Sequence, residues 1–135
     1  MPTTASLVTG VDFVSMPTQD LDGAMGFYRD VLGLEHSSTW QKDGRDPLGA
    51  EFEAGAVTIS LVASERLGIT FQANKVPIAL HVDDVAVARE KLESRGVEFP
   101  TETIDSGVCH MAYFHDPDGN ALMLHHRYAP FPDRA

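Results

Sequence analysis

The chain has 135 residues, 43% of them hydrophobic, with twenty Asp and Glu against ten Lys and Arg for a formal net charge of −10. That is enough apolar material for one packed domain, while the acidic balance excludes a nucleic-acid partner and disfavours an anionic membrane surface. The single cysteine, Cys109, excludes an internal disulfide and is expected to serve as a small buried hydrophobe.

The first residues, Met1 to Thr9, hold no basic stretch followed by an apolar run, so they are not expected to act as a secretory signal. No segment approaches the roughly 20 apolar residues of a bilayer span, and a cytoplasmic location is expected. Val11 to Met16 reads as a strand. Asp20 is then placed to cap a helix whose apolar stripe is Leu21, Ala24, Met25, Tyr28, Val31 and Leu32, and Gly33 supplies its left-handed end. Three strands follow, about Glu35 to Gln41, Ala50 to Glu53 and Val57 to Val62. The polar loop Gln41 to Gly49 and the segment Ala63 to Lys75 are candidate lids. Val76 to Val82 reads as a strand, and Asp84 caps a second helix with the stripe Val85, Ala88 and Leu92, ended by Gly96. The last strands are expected at Val97 to Thr101, Val108 to His115 and Ala121 to Arg127. Asp116-Pro117-Asp118-Gly119 makes a turn between the final two. The tail, Tyr128 to Ala135, is expected to be loose or draped on the surface.

The order βαβββ thus occurs twice. Asp20 matches Asp84, Ala24 matches Ala88, Leu32-Gly33-Leu34 matches Arg95-Gly96-Val97 after a one-residue gap, Phe52 falls near Phe114, and Ser60-Leu61 matches Met123-Leu124. We read one domain, residues 1–135, with module one at about 8–70, module two at about 74–127 and the tail at 128–135.

Asp20-Leu21 with Phe27-Tyr28-Arg29-Asp30-Val31-Leu32-Gly33-Leu34 resembles the first-helix signature of the vicinal oxygen chelate superfamily, and Asp116-Pro117-Asp118-Gly119-Asn120 resembles its last hairpin. That superfamily includes glyoxalase I, bleomycin-resistance proteins, fosfomycin-resistance enzymes, methylmalonyl-CoA epimerase and extradiol dioxygenases. The resemblance covers about residues 8 to 127. It implies an α+β fold in which two βαβββ modules form a cupped, barrel-like mixed sheet with helices outside and a site in the bowl. It also implies a homodimer. The fold by itself does not choose among the chemistries it hosts.

Enzymes of the family hold a divalent metal through His, Gln or Glu on the first and fourth strand of each module. Carried across by the resemblance, those positions are Phe13, Pro77, Ser60 and Met123. Phenyl and pyrrolidine rings donate nothing, a thioether suits softer ions than Mg, Mn or Fe(II), and a serine hydroxyl is a poor ligand. No metal and no cofactor is therefore expected at the usual place. Strand alternation then puts Ser15, Ala79 and His81 on the same face as Phe13 and Pro77, and His125 on the same face as Met123, with His126 pointing away. Tyr113-x-x-Asp116-Pro117-x-Gly119-x-x-x-Met123 resembles the extradiol dioxygenase signature with Met for Glu, which implies that Met111 and Tyr113 also line the bowl. His81 and His125 are either polar lining or acid–base groups. A relocated metal could draw a carboxylate from Glu51 or Glu53, if the Ala54-Gly55 hairpin sets them beside Thr58 and Ser60.

Trp40, the single tryptophan, could stack on a ligand or pack in the core or a dimer. Cys109 and His110 are neighbours on a strand and face opposite ways, so they do not form a nucleophile–base pair. The expected site is Phe13, Ser15, Trp40, Ser60, His81, Met111, Tyr113, Met123 and His125. Phe13, Pro77 and Met123 form an apolar floor, and the ligand is a small, flat aromatic or amphipathic molecule. The leading expectation is a metal-independent binding protein resembling bleomycin-resistance proteins. The alternatives are a glyoxalase-family lyase or isomerase with a relocated metal or His base, and a protein whose bowl is filled by its own side chains.

Overall fold

The computed structural model describes residues 6–41 and 43–132. The outer ends of the chain and Lys42 of the first candidate lid lie outside the described residues.

β1 (Phe13–Pro17) leads into a helix at Leu21–Gly26, α1, which runs on as a π-helical turn over Phe27–Val31. β2 (Glu35–Trp40), β3 (Gly49–Ala54) and β4 (Val57–Val62) complete the first sheet, in the order β1-β4-β3-β2. After a 3₁₀ turn at Ser64–Leu67 come β5 (Ile78–His81), α2 (Val85–Ser94), β6 (Ile104–Asp105), β7 (Cys109–His115) and β8 (Ala121–Arg127). Their sheet has the equivalent order, β5-β8-β7-β6. In each sheet the first strand pairs in parallel with the fourth, and the other pairs are antiparallel. The α+β fold with its repeated βαβββ unit is as expected.

Both helices start as their sequences dictate. The Asp20 carboxylate accepts from the Gly23 amide at 3.1 Å, and Asp84 accepts from the Val87 amide at 3.0 Å. Gly33 and Gly96 end them at φ 77° and 91°, in the left-handed region that glycine enters without steric cost. The one-residue gap between the repeats has a local cause. The Leu32 amide bonds to the Phe27 carbonyl, five residues back, and this wider turn accommodates one more residue than α2 does. Both ends are otherwise alike: the Leu34 amide reaches the Tyr28 carbonyl, and the Val97 amide reaches the Leu92 carbonyl, each at 3.0 Å.

One continuous core runs through both modules. Met16, Tyr28, Phe52, Ile59, Ala112, Phe114 and Leu122 are buried in it, and Leu21, Ala24, Val85 and Leu92 come from the helices. Two strand expectations are corrected. Val97 to Thr101 is not a strand, because the Val97 amide caps α2 and Phe99 turns inward, 5.3 Å from the Phe114 ring and beneath the Arg89 guanidinium. The edge strand β6 is instead the two-residue piece at Ile104–Asp105. β5 starts at Ile78, after Pro77, which has no amide hydrogen to contribute. The start of the tail is pinned: the Tyr128 hydroxyl donates to Asp105 at 2.8 Å, and its ring lies tilted against His110, with centroids 4.8 Å apart.

Candidate functional site

Alternation along the strands gives each sheet a core face and an open face. Cross-strand register sets Phe13 beside Thr58 and Ser15 beside Ser60, then Thr58 beside Glu53 and Ser60 beside Glu51. The core-facing neighbours, Met16, Ile59, Leu61 and Phe52, are buried. The open face of the first sheet therefore holds Phe13, Ser15, Thr58, Ser60, Glu51 and Glu53. In the second sheet, Ala79 pairs with Met123, His81 with His125, Met123 with Tyr113 and His125 with Met111. These share one face, while Ala112, Phe114, Leu122 and Leu124 are buried on the other.

Of the nine expected site residues, Phe13, Ser15 and Ser60 thus fall together, as do His81, Met111, Tyr113, Met123 and His125. Trp40 stands apart from Phe13. It lies on β2, three strands from β1 (about 14 Å at the usual strand spacing) and at the other end of the sheet. Its indole covers Gly49, where an added Cβ would collide with the ring. His126 Nδ1 lies 3.1 Å from the Val82 carbonyl, and its ring is 5.8 Å from that of His81, which as an edge-strand residue reaches toward it.

Phe13 of the expected apolar floor shares the first sheet's open face with hydroxyls and carboxylates. Glu53 accepts from Ser37 at 2.6 Å and from Thr58 at 2.8 Å, and Glu51 accepts from Ser38 at 2.6 Å. Ser37 and Ser38 reach this face together because β2 carries a bulge between His36 and Ser38, which breaks the alternation. Nothing in the sequence marks that bulge. The two hydroxyls hold the Glu53 carboxyl below its ordinary range, Ser37 contributing most. Pro77 precedes β5 and contributes no strand position to the second sheet.

The residues at the family's metal positions do not fit a hard divalent ion. Phe13 is 54% exposed and offers no donor, and Met123 offers only a thioether. Among the described residues, no three His, Cys, Asp or Glu side chains converge on one point. His81 Nε2 faces the Asp83 carboxylate at 3.4 Å, while Glu51 and Glu53 accept from serine and threonine hydroxyls on the other sheet and retain acceptor capacity.

The two motif segments meet in a place the sequence did not disclose. The Tyr28 hydroxyl, fully buried, donates to Asp116 Oδ2 at 2.7 Å. Asp116 also accepts from Asn120 Nδ2 and from the amides of Asp118 and Asn120. Asp118 accepts from Thr18 Oγ1 at 2.6 Å and the Gln19 amide at 2.8 Å, and Asn120 donates to the Pro17 carbonyl. The turn between β7 and β8 is therefore a polar clasp on the β1–α1 junction. Burial, and then the adjacent Asp116 carboxylate, push the Tyr28 hydroxyl well above its usual range, so it remains a donor.

Two βαβββ modules, each with a four-stranded mixed sheet and one open face, define the architecture. The chain belongs to the Glyoxalase/Bleomycin resistance protein/Dioxygenase superfamily, whose family model matches residues 10–124. Among solved structures it is similar to TnmS3, an antibiotic-binding protein from Streptomyces sp. CB03234, with 22% identity, a TM-score of 0.73 and coverage of 89% of this chain and 97% of that one. It is also similar to a superfamily member from Sphaerobacter thermophilus DSM 20745, with 22% identity, a TM-score of 0.76 and 88% and 98% coverage. A lactoylglutathione lyase from Agrobacterium tumefaciens shows 20% identity, a TM-score of 0.69 and 89% and 95% coverage. No curated protein matches the chain significantly. Likeness at this level of identity shows the fold. No helix among the described residues is long and apolar enough to cross a membrane.

Proposed function

We propose that this protein binds a small molecule on the open faces of its sheets without a metal ion, sequestering it rather than transforming it. The observation that carries this reading is the chemistry of the four positions where relatives hold their ion: Phe13, Pro77, Ser60 and Met123. The likeness to an antibiotic-binding protein supports it. Tyr113, Met111 and Met123 offer flat, polarizable contact on one sheet, while Glu51 and Glu53 offer anionic acceptors on the other. This combination suits an aromatic ligand that carries cationic or hydrogen-bond-donating groups. A homodimer is the form proposed, since Phe13, Ser15, Ala79 and His81 are exposed in the single chain and a second copy would complete the cup. The cytoplasm is the proposed compartment.

The test is a binding assay with proflavine, a flat aromatic cation, on protein stripped with a chelator. Saturable binding that raises Tm, with or without chelator, is expected. Binding that appears only when a stoichiometric divalent metal is restored would overturn the proposal. One observation favours a second reading, a lyase or isomerase with a histidine base: His81 and His125 are register partners across the β5–β8 pair, and the His81 ring also lies 5.8 Å from that of His126. Turnover of a small oxygenated metabolite that His125→Asn abolishes would select it.

A further inference from the structure

The two modules are not equivalent where each hairpin meets the other module. By cross-strand register, Asp116 and Asn120 of the β7–β8 turn correspond to Ala54 and Val57 of the β3–β4 turn. By helix capping, Tyr28 corresponds to Leu92. The three side chains that build the polar clasp on one side are thus alanine, valine and leucine on the other. Those three side chains can form no hydrogen bond. All three instead line a cleft of about 750 Å³ between the modules.

The cleft is walled largely from the helix side of both sheets and reaches the open-face residues Glu53, Ala79 and His81 at its edge. Its walls include Ile59 and Leu124, core-facing residues that alternate with the open-face positions. It also reaches the unpaired edge of β5 at Ala79 and His81. Its volume falls within the range of small-molecule pockets. Its mouth carries two cations and one carboxylate, a local excess of positive charge on an acidic molecule. Lys91 and Arg95, one turn apart at the end of α2, lie on the rim of a protein with net charge −10. Arg95 donates one N–H to the Val31 carbonyl, and Lys91 makes no ion pair among the described residues. Glu53 is also on the rim and keeps its negative charge, which the Ser37 and Thr58 hydroxyls favour, so an anion would have to seat against Lys91 and Arg95 on the α2 side.

We propose that this inter-module cleft is a second binding site, for an amphipathic anion: an acyl or aryl carboxylate whose apolar body fills the space between Leu92, Ala54 and Val57 and whose carboxylate meets Lys91 and Arg95. The open face of the first sheet has Glu51 and no Lys or Arg among the residues placed on it, whereas the cleft adds Lys91 and Arg95, so the two sites favour ligands of opposite sign.

The test is titration of the full chain with decanoate and with decanol, followed by calorimetry and by NMR of the methyl groups. Decanoate is expected to bind one per chain, to shift the methyl signals of Leu92 and Val57, and to leave proflavine binding unchanged. Decanol is expected to bind at least tenfold more weakly. Lys91→Glu, an exposed change that leaves the core intact, should weaken decanoate at least tenfold, and Ala88→Phe should block it by filling the cleft. Absence of saturable decanoate binding at millimolar concentration, or binding indifferent to Lys91→Glu, overturns the proposal. So does a dimer that Ala88→Phe dissociates in a protein that ignores decanoate, since the cleft would then belong to a second copy.

Discussion

Glu53 shows what a single carboxylate gains from its neighbours. The hydroxyls of Ser37 and Thr58 both donate to it and favour its charged form, so its pKa is lower in the folded chain than in the unfolded one. A group depressed on folding contributes stability that is complete above its unfolded pKa and is lost as pH falls toward the folded value. Acidification from about pH 5 to about pH 3, spanning the ordinary glutamate range, should therefore destabilise the native protein more than a Glu53→Gln variant. Denaturation midpoints measured across that range check it. Parallel curves for the two proteins would remove Glu53 from the acid response. The pair Glu53 and Thr58 was foreseeable from a tight hairpin and strand alternation. Ser37 was not, since only the bulge in β2 turns it to the same face.

At the scale of elements, the helices and most strands form where the sequence pattern puts them, because caps, stripes and alternation are local signals. The gap between the repeats was visible, and the structure explains it as a π-helical turn. The strand expected at Val97 to Thr101 failed because the segment serves two longer-range needs, capping α2 and plugging the core with Phe99. Gly49 and Trp40 show the same dependence on partners. Gly49 is fully covered because the indole lies across it, and a Cβ would also meet the Leu61 carbonyl, which cannot swing aside. Gly49→Ala should cost about 1–3 kcal/mol by overpacking. It should also shift the emission of the single tryptophan to longer wavelength as the ring is pushed into water. An unchanged spectrum and stability would mean that the ring relaxes freely.

The whole molecule is held together by the shared core and by the clasp. Because Tyr28 comes from one module and Asp116 from the other, the two modules are coupled and should unfold in one transition. Tyr28→Phe keeps the ring against Phe27 and Phe52 but leaves a buried carboxylate oxygen without one of its donors. A loss of about 1–3 kcal/mol is expected, read as a lower urea midpoint. In the native protein, Trp40 fluorescence, which reports module one, and circular dichroism, which reports both, should trace one curve. Two separate curves would show that the clasp does not couple the modules.

From the sequence alone, the repeated module, its helix ends and most of its strands could be read, since each depends on residue type and short-range spacing, while the replaced metal donors followed from the family resemblance. The clasp between Tyr28 and Asp116, the bulge that brings Ser37 and Ser38 to Glu53 and Glu51, and the apolar cleft opposite the clasp were decided by the tertiary structure. Each joins residues distant in sequence or breaks the strand alternation, and local periodicity carries no record of which partner a side chain will meet.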